Sequence, residues 1–315
     1  MNYREQSEWR EIEKFLPKKL HFTTDYHPEE EWWEWKGNRV HLDTFRNPNA
    51  ATKVILFHGV GTNGRQMSMI IGGPLAKDGL EVIAIDMPLY GVTKVNSNMT
   101  ITYEDWVELG NDYINYELNK DPRPIFLYGL SAGGMETYHV ACKNKKVKGI
   151  IGMTFLDQRD QSVRNETTKN LFWAHFGVPL AGLSCKIGLS KFKMKMSICS
   201  KMNTLCNNKD ALNVMLKDKS SAGNSVTMKF IHSYMTAKPF IEPESFDICP
   251  ILLTQPEKDR WTPLHLSKPF LDKINKVPVK IVELKNGGHY PVEKPALDQL
   301  HAEILDFINK LSVTK

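Results

Sequence analysis

The 315-residue sequence lacks any run of about 18 consecutive apolar residues, the length that a membrane-spanning helix requires. Its opening, MNYREQSEWREIEKF, carries no apolar core of a secretory signal, so the expectation is a cytoplasmic protein without stable membrane anchoring. Cysteine is sparse: Cys142, Cys185, Cys199, Cys206 and Cys249 are odd in number and nowhere spaced as CxxC. That excludes a disulfide framework and a zinc knuckle and leaves reduced thiols. HExxH is absent and the ten histidines show no ligand spacing, so no metal site is expected. No internal repeat or low-complexity tract interrupts the chain.

What is present is a globular composition, 41% hydrophobic and 24% charged, sufficient for a sizeable core. The formal charge of +5 is unevenly distributed. Residues 158–240 hold 13 Lys plus Arg against 4 Asp plus Glu, a local +9. Such a segment could attract acidic substrates, a membrane surface or nucleic acid. A solvated lysine face accounts for it as well, and no nucleic-acid partner is expected.

Short β-branched and apolar runs recur between helical patterns: KVILF (53–57), EVIAID (81–86), PIFLYG (124–129), VKGIIGM (147–153), CPILLT (249–254) and VKIVEL (279–284). Near-continuous apolar strands alternating with helices predict an α/β fold with a doubly wound, mostly parallel sheet. Ahead of them, EEEWWEWKGNRVHLDTF alternates around Lys36-Gly37-Asn38 and reads as a leading antiparallel hairpin. Thr102 with Asp105 forms a capping-box signal before the stripe Trp106, Leu109, Tyr113 and Tyr116. Leu297, Leu300, Ile304, Phe307 and Leu311 form another stripe behind Pro295, in a helix expected to pack on the sheet. The domain expectation is a core of residues 1–157 and 247–315, with 1–30 as an N-terminal extension of no assigned role. Residues 158–246 would form an inserted, mostly helical cap over the carboxyl edge of the strands. Within it KFKMKMSICSKM suits a strand and an amphipathic helix equally.

Gly129-Leu130-Ser131-Ala132-Gly133 follows a predicted strand and precedes a helical segment. A serine on so sharp a turn adopts strained backbone angles, and side chains at Gly129 and Gly133 would clash where strand and helix nearly touch. A serine hydroxyl is a weak nucleophile and needs a base, itself oriented by an acid, later in the chain. Asp259 in PEKDRWTP and His289 in GGHYP each lie in a loop after an apolar strand, at the same sheet edge as Ser131. The acid could also be Asp157 or Asp160, which follow another strand at that edge. A tetrahedral oxyanion requires two backbone N–H donors. Ala132 and Val60 are the candidates, the latter in His58-Gly59-Val60-Gly61, where Gly59 and Gly61 let the backbone approach substrate.

HGVG (58–61), DMPLYG (86–91), GLSAG (129–133), PEKDRWTP (256–263) and GGHYP (287–291) together resemble the α/β-hydrolases of the serine esterase, lipase and lysophospholipase type. The resemblance spans residues 53–311 except the cap. It implies a Ser-His-Asp triad of Ser131, His289 and Asp259, an acyl-enzyme intermediate, and no cofactor. The expected partner is a small-molecule ester with an apolar acyl or alkyl group; the cap lysines suggest an anionic head group, and a neutral ester is equally compatible. Lactone or amide cleavage uses the same constellation. Two distant alternatives differ in class. GVGTNG (59–64) with Asp86 satisfies a dinucleotide fingerprint and would make the protein an oxidoreductase, and a hydrolase scaffold can also serve as a catalytically silent binding protein. The oligomeric state is left open.

Overall fold

A computed structural model of the chain describes residues 2–313. Strands β1 (Glu29–Trp35) and β2 (Asn38–Phe45) form the leading hairpin. Its turn is the pair Lys36 and Gly37, with φ of 48° and 75°, the positive angles of a tight two-residue turn. Asn38, expected in the turn, instead opens β2.

The six apolar runs form β3 (Lys53–Phe57), β4 (Glu81–Ile85), β5 (Ile125–Gly129), β6 (Gly149–Gly152), β9 (Ile251–Pro256) and β10 (Val279–Leu284). Two short strands, β7 (Lys193–Lys195) and β8 (Ser225–Thr227), pair separately in antiparallel fashion. The main sheet runs β1-β2-β4-β3-β5-β6-β9-β10, parallel from β4 onward. Every residue of β3, β4, β5, β6 and β9 is buried, as strands covered on both faces must be. The chain passes from β3 to β4 on one side and then to β5 on the other, a reversal that opens a crevice at the carboxyl ends. The loops after β3 and β5 emerge side by side there, because Phe57 pairs with Gly129 in register.

Helix Tyr103–Lys120 starts with the expected capping box: Thr102 accepts from the Asp105 N–H, and Asp105 accepts from the Thr102 N–H. Trp106, Leu109 and Tyr113 are buried, whereas Tyr116, expected on the same stripe, is 43% exposed and lies against the ring of Trp33. The final helix, Lys294–Val313, buries Leu297, Leu300, Ile304 and Phe307.

The segment Tyr3–Leu20 contributes to the core. Tyr3, Trp9, Ile12, Leu16 and Leu20 are buried, and the Tyr3 hydroxyl donates to the Asp86 carboxylate at 2.9 and 3.0 Å. Arg65 stacks its guanidinium 4.7 Å from the rings of both Tyr3 and Trp9 while bonding the buried Asp43.

Between β6 and β9 the chain builds the helices Gln161–Thr167, Leu171–Lys186, Met196–Cys199, Lys209–Lys217 and Met228–Thr236, with β7 and β8 among them. The ambiguous KFKMKMSICSKM segment takes both forms, β7 followed directly by Met196–Cys199.

Candidate active site

At the end of β5 the chain reverses into helix Ala132–Asn144 through Ser131, whose φ of 55° and ψ of −121° are strained for a residue with a side chain. The surroundings over-determine that conformation. Leu130 N–H donates to Phe57 O at 3.1 Å, and the Ser131 carbonyl accepts from Gly134 N–H at 2.8 Å and from the Thr154 hydroxyl at 3.0 Å. A Cβ at Gly129 would lie 1.9 Å from Gly133 O, and one at Gly133 would lie 2.6 Å from Phe57 O. Both glycines are thus sterically required, as the turn chemistry predicts. Gly134 is a third: its Cβ would lie 2.0 Å from Thr154 O.

The loop after β3 presses on this elbow. A Cβ at Gly59 would approach Leu130 O and Ser131 Cβ to 2.7 Å each. His58 locks the loop: its Nε2 accepts from Met87 N–H at 3.0 Å, which makes Nδ1 the protonated nitrogen facing Gly59 O at 2.9 Å. Burial lowers the pKa of this imidazole and keeps it neutral. Thr62 closes the turn, its hydroxyl accepting from Gly59 N–H at 2.9 Å. Gly61 has φ +101°, an angle that favours glycine. Among the described residues, neither the Val60 nor the Ala132 amide meets an acceptor, and both residues border the cavity that contains Ser131.

After β9 and β10, Asp259 and His289 meet: Nδ1 lies 2.9 Å from Asp259 Oδ2, with both side chains buried. The other carboxylate oxygen accepts from the Trp261 and Thr262 amides at 2.8 Å each, and the Thr262 hydroxyl donates to Oδ2 at 2.8 Å. Burial opposes the charge of Asp259, but the His289 ring and the Thr262 bonds outweigh it and hold the carboxyl below the usual aspartate range. With Nδ1 bonded to the carboxylate, Nε2 is the free ring nitrogen; it is buried and has no hydrogen-bond partner among the described residues. The Ser131 hydroxyl therefore makes no hydrogen bond to it here, a looseness common before substrate binds. Trp261 packs against the imidazole with its ring tilted by 39° and ring centres 4.9 Å apart. The following residue anchors the loop, Tyr290 N–H donating to Leu205 O at 2.7 Å and its hydroxyl to Gln66 O at 3.0 Å.

Ser131, Val60, Ala132, Trp261 and Thr262 share a cavity of about 90 Å³. Its far walls come from the insertion, among them Trp173, Val178, Met194, Met228 and Phe230, and no lining residue is charged.

The model of the serine aminopeptidase S33 family, a group of α/β-hydrolases, matches residues 48–293. The chain belongs to this family. Its fold is similar to that of a soluble variant of monoglyceride lipase from Saccharomyces cerevisiae solved with a substrate analogue: 16% identity, 95% of this chain and 99% of that one, TM-score 0.71. A monoacylglycerol lipase of Paleococcus ferrophilus is 19% identical over 86% of this chain and 99% of its own, with a TM-score of 0.65. A carboxylesterase of Bacillus subtilis is 14% identical over 96% of each chain, with a TM-score of 0.61. No curated protein sequence matches at a significant level.

Within this α/β-hydrolase, the competing candidates are engaged elsewhere. Asp157 pairs with Arg159 at 2.6 Å, and Asp160 caps helix Gln161–Thr167 through Ser162 N–H at 2.8 Å. Asp86, which a dinucleotide site would present to a ribose, is buried under the Tyr3 hydroxyl and the Gly64 and Val92 amides. The anionic head group suggested by the lysines finds no counterpart at the cavity, since none of them lines it. Thr262 and Gly134 are the site residues that motif reasoning passes over. A threonine three residues after the aspartate is the available signal for the first, because such a spacing lets the carboxylate bond the backbone locally.

Proposed function

We propose that this α/β-hydrolase cleaves carboxylic esters with an apolar acyl group through an acyl-enzyme on Ser131. His289 Nε2 takes the hydroxyl proton as Ser131 Oγ attacks the ester carbonyl. The Val60 and Ala132 amides receive the developing oxyanion, an interaction whose loss typically costs ~2.7 to 4 kcal/mol per donor. Asp259 holds the imidazole in the Nδ1–H tautomer and stabilises its charged form. His289 then protonates the leaving alcohol and, in the second half-reaction, takes a proton from the water that releases the acid. No cofactor takes part in any of these steps.

The observation that carries this reading is an unpartnered, buried Nε2 on an Asp-bonded histidine beside an uncharged cavity that contains the strained serine. The same cavity argues for an ester over a peptide with a free amino terminus. An ammonium group placed there would be desolvated with no carboxylate to meet it. Lactones satisfy the geometry equally and belong in the substrate panel.

Hydrolysis of p-nitrophenyl esters from acetate to decanoate, alongside lactones and aminoacyl amides, tests the proposal. The expected order is medium-chain ester above acetate, with aminoacyl amides inert. Undiminished ester turnover by Ser131→Ala, corrected for background, would contradict it.

A further inference from the structure

Helix Leu171–Lys186, LFWAHFGVPLAGLSCK, is apolar on all sides and contains no acidic residue. A helix of that composition is ordinarily covered all round, in a core or by lipid. Here only one face is covered. Trp173, Gly177 and Val178 line the cavity over Ser131, and Ala174 and Ala181 are buried beside them.

The opposite face carries Phe172, Phe176, Leu180, Leu183 and, just past its end, Ile187, at the three- and four-residue spacing of a single stripe. Phe172 is 53% exposed, Phe176 56%, Leu183 53% and Ile187 63%. Elsewhere in the insertion, Phe192 just ahead of β7 and Ile198 in helix Met196–Cys199 are exposed as well. A contiguous apolar surface of this kind marks an interaction site on a protein.

The charge around the stripe indicates what covers it. Residues 169–201 contain six lysines and no aspartate or glutamate. Lys169, Lys186, Lys191, Lys193 and Lys195 are exposed, and none forms an ion pair among the described residues. A second copy of the chain seated face to face would bring these like charges together with nothing to neutralise them. An apolar stripe bordered by lysines fits the boundary between headgroups and acyl chains of an anionic bilayer, where phenylalanine and leucine enter the apolar layer and each lysine adds attraction.

We propose that the outer face of helix Leu171–Lys186, with its border of lysines, docks this protein reversibly on anionic lipid bilayers. The stripe and the cavity lining are two faces of one helix, so docking sets the helix that walls the cavity over Ser131 against the lipid surface. No helix among the described residues is long and apolar enough to cross a membrane, and the contact is therefore peripheral.

Docking is separable from the chemistry proposed above: Ser131→Ala protein, inert as a hydrolase, is expected to bind vesicles as the wild type does. The test is co-sedimentation with phosphatidylcholine vesicles and with vesicles containing 30 mol% phosphatidylglycerol, at about 0.05 and 0.5 M NaCl. Wild type is expected to partition at least about tenfold more strongly onto the anionic vesicles, and the excess should shrink at high salt. Lys191→Glu/Lys193→Glu/Lys195→Glu removes that preference, and Phe172→Gln/Phe176→Gln/Leu183→Gln lowers binding to both vesicle types by roughly tenfold or more. Both variants keep wild-type hydrolysis of a short water-soluble ester, which reports that they fold. Absence of vesicle binding by wild type, equal binding by the glutamine variant, or a dimer that the glutamine variant dissociates would each overturn the proposal.

Discussion

The Thr262 hydroxyl bridges Asp259 and His289: it donates to Asp259 Oδ2 at 2.8 Å and lies 3.1 Å from His289 Nδ1. Through it the loop after β9 fixes where the carboxylate can sit and hence where the imidazole points. The same residue borders the cavity, so it touches both the imidazole and the space proposed for substrate.

Thr262→Val removes that hydrogen bond while keeping the side-chain shape. A hydrogen bond to a charged group contributes about 1.5 to 3 kcal/mol, and part of this is felt only when His289 is protonated. The expected result is kcat reduced by roughly tenfold with KM nearly unchanged, and Thr262→Ser restoring most of the loss. Steady-state kinetics on one soluble ester separates these parameters.

Ser131, the proposed nucleophile, stores backbone strain. Ser131→Gly relieves the side-chain conflict at φ 55° and is expected to raise stability by about 1 kcal/mol, a shift of ~2 °C in the midpoint of thermal unfolding, while abolishing turnover. Gly133→Ala has the opposite sign: its Cβ would meet Phe57 O at 2.6 Å, so the helix or β3 must shift, at a cost of about 1 to 3 kcal/mol or failure to fold. Thermal melts of both variants check the pair of signs.

A buried ionic cluster ties the N-terminal residues to the sheet edge. His41 Nε2 bonds Glu30 at 3.0 Å and its Nδ1 lies 3.0 Å from Asp86 Oδ2. Burial works against the imidazolium, but these carboxylates prevail and raise the His41 pKa to about 9. A histidine whose pKa is raised by folding contributes its full stabilisation below the unfolded value of about 6.5 and loses it as pH climbs through the folded value. Wild-type protein is therefore expected to lose thermal stability between about pH 6.5 and 9 more steeply than His41→Gln. Melting temperatures across that range read the difference in slope.

Gly177 faces the cavity, and a Cβ there would meet only Trp173 at 3.6 Å. Gly177→Leu fills the space assigned to the acyl chain without touching Ser131. The expected outcome is a rise of about tenfold or more in KM for octanoate with acetate hydrolysis retained. A chain-length series on the variant measures it.

Much of this site is legible in the sequence because its constraints are local. The serine turn demands small residues at fixed offsets, and Gly129 and Gly133 satisfy contacts that no side chain could. The strands are legible for the same reason: full burial on both faces forces continuous apolar runs. What escapes is non-local. The Tyr3 hydroxyl finds its partner in Asp86, 83 positions later, and no periodicity in the opening residues announces that. The sequence favours Asp259 as the acid but leaves Asp157 and Asp160 open, since all three follow strands at one sheet edge. Asp259 is the one that bonds His289, a fact of loop geometry. The insertion's lysines read alike from sequence whether they face substrate or solvent, and the structure turns them away from the cavity.

The most direct test of the central claim is to stop the reaction of a slowly deacylating p-nitrophenyl ester within one turnover and weigh the protein. The account predicts one acyl group per chain, located by peptide mass on Ser131, formed with a stoichiometric burst of p-nitrophenol. It also predicts that Asp259→Asn acylates about four orders of magnitude more slowly, by analogy with the equivalent change in serine proteases. An acyl group on any other residue, or turnover with neither burst nor adduct in Ser131→Ala protein that matches wild type, would contradict it.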